Sequence, residues 1–337
     1  MRAIHFYLSG GFMRGAFAVV ALAAVLGLAS CDKGTSKSSS SSSAQLQIAV
    51  IPKGTTHVFW KSVHAGAERA GKELGAKIIW KGPLQENDRA QQISIVEQFV
   101  SQGVSAICVA PLDDTALVKP IQEAGAHKIP VVIFDSALKA TPGVDYASFV
   151  ATDNEKGGAM AGQELARILG GKGKVVLLRY EEGSASTMER EKGFLDVMKQ
   201  NPGIQMIVDN RYGGATVDMA QNAAMNMLDQ IKQADGIFCS NESLTMGMLL
   251  AMRQAGIAGK IKFVGFDSSP KLIEALKAHE LEAVVAQNPT KIGYEAVKNA
   301  VAAIKGQPVP LRVDTGVQLI TNENLNTPEI QKLLNPE

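Results

Sequence analysis

Two similar α/β lobes, each a doubly wound parallel sheet, joined by a three-segment hinge, are predicted for this chain from three observations. Short apolar runs alternate with amphipathic helical segments from Leu46 onward, the pattern of βαβ units around a parallel sheet. Phe-Asp-Ser follows the fourth strand of each half, in VVIFDSA ending at Ala137 and in KFVGFDSS ending at Ser269. The length of 337 residues, at roughly 150 per domain, supplies about two domains with ample core.

The chain opens on a segment unlike the rest. Arg2 and Arg14 precede the apolar run AFAVVALAAVLGL from Ala16 to Leu28, the order of parts of a signal peptide assigned to residues 1–30, with Met13 an alternative start. Thirteen apolar residues fall short of the ~20 that span a bilayer. Leu28-Ala29-Ser30-Cys31 resembles a bacterial lipobox, which implies lipidation of Cys31 and an anchor on the outer face of a membrane. Residues 31–45 then read as the lipidated Cys and a Ser-rich tether with nothing to bury.

The first-half strands are QIAVI, KIIW, AICVA, VVIFD and SFVAT, and those of the second are KVVLL, QMIV, GIFC, KFVGF and EAVVAQ. Their near-continuous apolar character requires cover on both sheet faces. Between them, Val63, Ala67, Ala70 and Leu74, and again Ala90, Ile93, Val96 and Val100, recur at helical spacing, so each helix lays one stripe on its sheet. VATDNEKGG, with Asp153 or Asn154 as helix N-cap, marks the change of lobe. A helix from Lys291 to Lys305 and a strand near Thr315 to Ile320 supply the two remaining crossings. The expected lobes are 46–151 with 288–316, and 152–287 with 317–337.

Composition narrows the partners. Thirty-four Lys+Arg against thirty-three Asp+Glu leave +1, with no electrostatic footprint of a nucleic-acid binder. Hydrophobic residues at 46% and three cysteines describe an ordinary globular chain rather than a disordered or disulfide-stapled one. Cys108 and Cys239 fall in strands of opposite halves, where a disulfide would lock the two lobes, so they read as buried thiols. The five His lack metal-ligand spacing, GGKGK at 170–174 is a turn rather than a phosphate loop, and no nucleophile, base and orienter group together as an enzyme needs. No cofactor is implied.

In open α/β sheets ligands sit beyond the carboxyl ends of the strands. Those ends carry Lys53, the loop Thr55 to Trp60, Asp113, Asp135-Ser136 and Asp153-Asn154 in the first half. In the second they carry Arg179-Tyr180, Asn210 to Tyr212, Ser240-Asn241-Glu242, Asp267-Ser268 and Gln287-Asn288. Carboxylates, amides and flat rings suit a neutral, hydroxyl-rich guest, because each Asp or Asn addresses paired hydroxyls while a ring covers an apolar C–H face.

The stretches IAVIPKGTTHVFWKSVHAGAERAGKELGA, IPVVIFDS, ATDNEKGG, GIFCSNE, FVGFDSS and VVAQNP, in this order from about Gln45 to the C-terminus, resemble the periplasmic sugar-binding proteins of the ribose-receptor type. The resemblance implies the type 1 periplasmic binding fold, a monomeric receptor that closes on a small sugar or polyol, and delivery to an ABC permease. A sensory receptor, for example for a furanosyl autoinducer, is the alternative. Carried over by position, Phe59 and Trp60 stack on one sugar face; Asp135, Asn241, Asp267 and Gln287 bind hydroxyls; Arg190 is a retained guanidinium; Tyr212 covers the opposite face. Ser136 stands where ribose receptors carry an Arg, which speaks against ribose, and Lys53 resembles a lysine of rhamnose-type and furanosyl-autoinducer receptors that supplies a positive donor. Read from the residues alone, Asp135 and Asp267 also suit helix N-caps, Lys53 a solvated surface, Trp80 core or rim, and His57 a bystander's place in the aromatic loop.

Overall fold

The computed structural model describes residues 45–335, so the signal segment, Cys31 and most of the tether lie outside the described residues. In chain order the strands are β1 (Gln47–Ile51), β2 (Lys77–Trp80), β3 (Ala106–Val109), β4 (Val131–Phe134), β5 (Ser148–Ala151), β6 (Lys172–Arg179), β7 (Gly203–Tyr212), β8 (Gly236–Cys239), β9 (Lys262–Phe266), β10 (Ala283–Gln287), β11 (Arg312–Asp314) and β12 (Val317–Thr321). The helices are α1 (Val58–Leu74), α2 (Arg89–Gln102), α3 (Val118–Ala126), α4 (Asn154–Ile168), α5 (Ala185–Lys199), α6 (Val217–Asn226), α7 (Leu228–Lys232), α8 (Glu242–Gln254), α9 (Pro270–Lys277), α10 (Pro289–Ile304) and α11 (Pro328–Leu334).

Two six-stranded sheets result, ordered β11-β5-β4-β3-β1-β2 and β12-β10-β9-β8-β6-β7. Successive residues of each central strand point to opposite faces, and both faces are covered. Ile48, Val50, Cys108, Val132 and Phe134 pack under α1 and α10, whereas Ala49, Ile51, Ile107, Val109 and Ile133 pack under α2 and α3. The second sheet repeats the scheme, with Val176, Leu178, Ile237 and Phe263 on one face and Val175, Leu177, Phe238 and Val264 on the other. Cys108 and Cys239 are buried free thiols, one per sheet.

The chain passes between the sheets at Thr152-Asp153, at Asn288 and at Thr315-Gly316. At the first passage Asp153 is the N-cap of α4 and accepts from the Lys156 N–H. The strand expected near Thr315 to Ile320 is two strands. Gly316, at φ 87°, breaks the run at the third crossing, leaving β11 in the first sheet and β12 in the second. Since β12 arrives from the hinge without a helical crossover, it pairs antiparallel with β10. The stripe on α2 also differs. Gln92, Ile95, Val96, Phe99 and Val100 are buried while Ala90 is exposed, because Gln92 faces inward to bond Pro52 O, Ala110 O and the Leu112 N–H.

The crossings exchange helices. α10 follows the second sheet yet packs against α1 on the first, and α4 follows the first yet packs against α5 on the second. Both pairs touch backbone to backbone: a Cβ on Gly293 would sit 1.9 Å from Val63 O, and one on Gly158 1.8 Å from Arg190 O. Each lobe is thereby held by a helix that a strand of the other lobe feeds.

Candidate functional site

The carboxyl ends of the two sheets face each other, and between them lies a narrow cavity walled by residues of both lobes. Of the residues singled out from sequence, Lys53, Phe59, Trp60, Asp135, Arg190, Asn241, Asp267 and Gln287 line it. Tyr212 does not. It ends β7, the outermost strand of its sheet, and is 50% exposed. The phenol that reaches the cavity is Tyr180, one residue past the neighbouring inner strand β6. A tyrosine at each strand end looked alike in sequence; the order of the strands separates them.

The first lobe brings a cationic and aromatic wall. Lys53, just past β1, is 3% exposed, and its ammonium lies 3.6 Å from Asp135 Oδ2. It donates across the cleft to Ser184 Oγ at 3.1 Å and Ser186 Oγ at 2.9 Å. Burial holds its pKa below the ordinary lysine range, against the pull of Asp135 and Glu86. It is no solvated lysine. Phe59 and Trp60 sit in the first turn of α1, edge to face at 4.9 Å. Trp80 stacks instead on His64 at 4.4 Å, apart from the cavity-lining residues.

Glu86, in the loop between β2 and α2, organises this wall. Its carboxylate accepts from Trp60 Nε1 at 2.6 Å, from the Tyr180 hydroxyl at 2.9 Å, and meets His57 Nδ1 at 2.5 Å. Burial opposes charge on either member of the His57–Glu86 pair, but their mutual attraction and hydrogen bond prevail, raising His57 to about 9 and lowering Glu86 to about 2. His57 is therefore part of the wall rather than a bystander.

The second lobe answers with hydrogen-bonding groups. Arg190, on α5, donates Nε to Asn154 Oδ1 at 2.9 Å and Nη1 to Ser240 O at 3.0 Å, with its guanidinium carbon 3.9 Å from the Phe266 ring centroid. Asp267 accepts from Gln287 Nε2 at 2.8 Å and from the Glu242 N–H at 2.9 Å. Burial raises the pKa values of Asp135 and Asp267, while Lys53 and Arg190 oppose the shift. Neither Asp caps a helix that follows it: the N-cap of α9 is Ser269, and both Asp residues take left-handed backbone, φ 62° and φ 71°. Asn241 does cap, accepting from Leu244 N–H at 3.1 Å, and still faces the cavity. Gln287, which also lines the cavity, keeps a buried Oε1 acceptor with no hydrogen-bond partner among the described residues.

Sequence reasoning passed over Glu86, Tyr180, Ser186, Thr187 and Glu242 as site residues. All but Glu86, Ser186 and Thr187 stood among the strand-end residues. Those three lie farther along their connections, where spacing alone gave no signal.

Carboxylates, amides, a guanidinium and an ammonium thus converge from two hinged halves on one small space beside two aromatic rings. That arrangement binds by hydrogen bonds and stacking. Residues 48–308 match the family described as "Periplasmic binding protein domain". The chain belongs to the periplasmic binding protein family. Among its relatives, the D-allose-binding periplasmic protein of Escherichia coli (strain K12) is 30% identical over 279 residues, 81% of this chain and 89% of that protein. The ribose import binding protein RbsB of Bacillus subtilis (strain 168) is 28% identical over 85% of this chain and 90% of its own length. Among solved structures, a carbohydrate transporter solute-binding protein from Agrobacterium radiobacter in complex with D-arabinose superposes with a TM-score of 0.83 at 34% identity, covering 87% of this chain and all of its own. An ABC transporter solute-binding protein from Agrobacterium vitis with bound D-fucose gives 0.82 at 35% identity over 86% of this chain and all of its own. As in other periplasmic binding proteins of type 1 architecture, two parallel-dominated sheets with flanking helices frame the cleft. Among the described residues no helix is long and apolar enough to cross a membrane.

Proposed function

We propose that this periplasmic binding protein is a monomeric receptor that closes on one small neutral sugar or polyol and presents it to an ABC permease, without transforming it. The observation that carries this reading is the composition of the interlobe cavity. Asp135, Asn241, Asp267, Gln287 and Arg190 converge on a space walled on one side by Phe59 and Trp60. Neutrality follows from the charges. Lys53 already faces Asp135, His57 faces Glu86, and Arg190 lies in the field of Asp267 and Asp135, so no cation is left for an acidic guest. A hydroxyl-poor guest would leave the buried Gln287 Oε1 acceptor unpaired at about 1–3 kcal/mol.

The similar proteins named for D-allose and ribose, and those holding D-arabinose and D-fucose, support an aldose or close relative, and import rather than sensing. Ser136, in the position of the ribose receptors' Arg, donates no charge and instead accepts from the Ser186 N–H at 3.1 Å. Ribose itself is therefore the less favoured guest. Lipidation at Cys31 and a membrane-tethered periplasmic location belong to the same proposal, supported by the lipobox-like Leu28 to Cys31 and the tether that follows.

A thermal-shift screen over pentoses, hexoses, deoxysugars, polyols and sugar acids tests it, because a molecule that binds only the native state raises its stability. Stabilisation by at least one neutral sugar or polyol, and by no sugar acid, is the expected result. A flat response to every neutral member would overturn the proposal.

A further inference from the structure

Helix α1 carries Phe59 and Trp60 into the cavity, yet it begins without a cap of its own. Its N-cap residue, His57, makes no side-chain bond to the first turn, since the ring is turned to Glu86, and the first turn contains no acidic residue. The first amides of a helix have no partner within it, and they form the positive end of its dipole. Here the partner comes from the other lobe. Glu242, the first residue of α8, accepts from the Phe59 N–H at 3.0 Å through Oε2 and from the Val58 N–H at 3.3 Å through Oε1. Glu242 is itself held in place by Asp267 Oδ2, which accepts its N–H, and by Asn241, which caps α8.

We infer that Glu242 is a positioning residue for capture: an acidic helix cap delivered across the cleft, made only when the lobes are shut. Opening the hinge strips α1 of this cap and frees its first turn; closing restores it and fixes the aromatic wall in the same movement. The cap discriminates between the two states whatever sugar is present, so part of the apparent affinity belongs to a contact between lobes. The inference rests on the receptor reading above.

The test uses wild type, Glu242→Ala and Glu242→Gln, titrated calorimetrically with D-arabinose, D-fucose, D-allose and ribose. Amide hydrogen exchange at Val58 and Phe59 is then followed at saturating sugar. Glu242→Ala is expected to weaken binding roughly 3- to 30-fold, the usual range for a lost helix cap. It should also speed exchange at those two amides in the saturated complex, with Glu242→Gln, which keeps one acceptor oxygen, falling between. Unchanged affinity in Glu242→Ala overturns the inference. So does weakened affinity with Val58 and Phe59 still protected, since Glu242 would then act only by touching sugar. Failure of the wild type to bind any of the four sugars speaks against the receptor reading and the inference that rests on it, whereas a wild type that binds beside a Glu242→Ala that binds equally well overturns the inference alone.

Discussion

Asp135 and Asp267 occupy the same place in the two lobes, one residue past β4 and one past β9, and both adopt left-handed backbone with φ 62° and φ 71°. Asp tolerates that conformation better than most residues, and such a turn persists where the surroundings hold it. Both carboxylates are aimed into the cavity by it. Asn shares the conformational tolerance but cannot carry charge. Asp135→Asn and Asp267→Asn should therefore keep the melting temperature within a few degrees while weakening sugar binding at least tenfold, about 1.4 kcal/mol. Calorimetric titration beside a thermal melt checks this, and unaltered affinity would remove these carboxylates from the site.

The Tyr180 hydroxyl and Glu86 join residues of opposite lobes at 2.9 Å. Hydrogen bonds to charged groups contribute about 1.5–3 kcal/mol, and this one bridges the two walls of the cleft. Tyr180→Phe should weaken sugar binding by roughly one to two orders of magnitude. The loss should lie in faster dissociation, because the bond forms after encounter. Stopped-flow kinetics would contradict this by showing an unchanged off-rate.

The His57–Glu86 pair makes stability depend on pH. His57 rises from 6.5 to about 9, so its contribution is whole below 6.5 and disappears as pH climbs through 9. Glu86 falls from 4.5 to about 2, so its contribution is whole above 4.5 and disappears as pH drops through 2. The stability gap between wild type and His57→Gln should be widest between those ordinary values and narrow steadily toward pH 9. Melts across this range that keep a constant gap would refute the pairing.

Gly158 lets α4 touch the backbone of α5 at Arg190, and an added Cβ would lie 1.8 Å from Arg190 O. Backbone cannot give way as a side-chain tip does. Gly158→Ala should cost about 1–3 kcal/mol or more of stability and, by pushing Arg190 outward, weaken sugar binding as well. Denaturant unfolding showing wild-type stability would disprove the close contact.

Periodicity and strand ends carried much of this molecule in plain view. Apolar strands flanked by helical stripes were legible because a sheet covered on both faces leaves no polar residue to interrupt its strands, and the repeated Phe-Asp-Ser marked where two turns do the same work. Glu86 and Tyr212 show the limit. Glu86 sits in an irregular loop, where no period relates a residue to its neighbours in space, and Tyr212 was misplaced because local pattern does not say which strand lies at a sheet's edge.

The amino-acid sequence by itself determined the alternation of strands and helices, the doubling of the lobe and the polar chemistry gathered at the strand ends, since these follow from burial and backbone preference over a few residues. Only the tertiary structure decided that α4 and α10 would change places between lobes, that Tyr180 rather than Tyr212 would meet Glu86, and that Glu242 would cap α1. Those pairings join residues 94 and 183 positions apart, and a contact of that span exists only once packing and hinge have brought two separate sheets face to face.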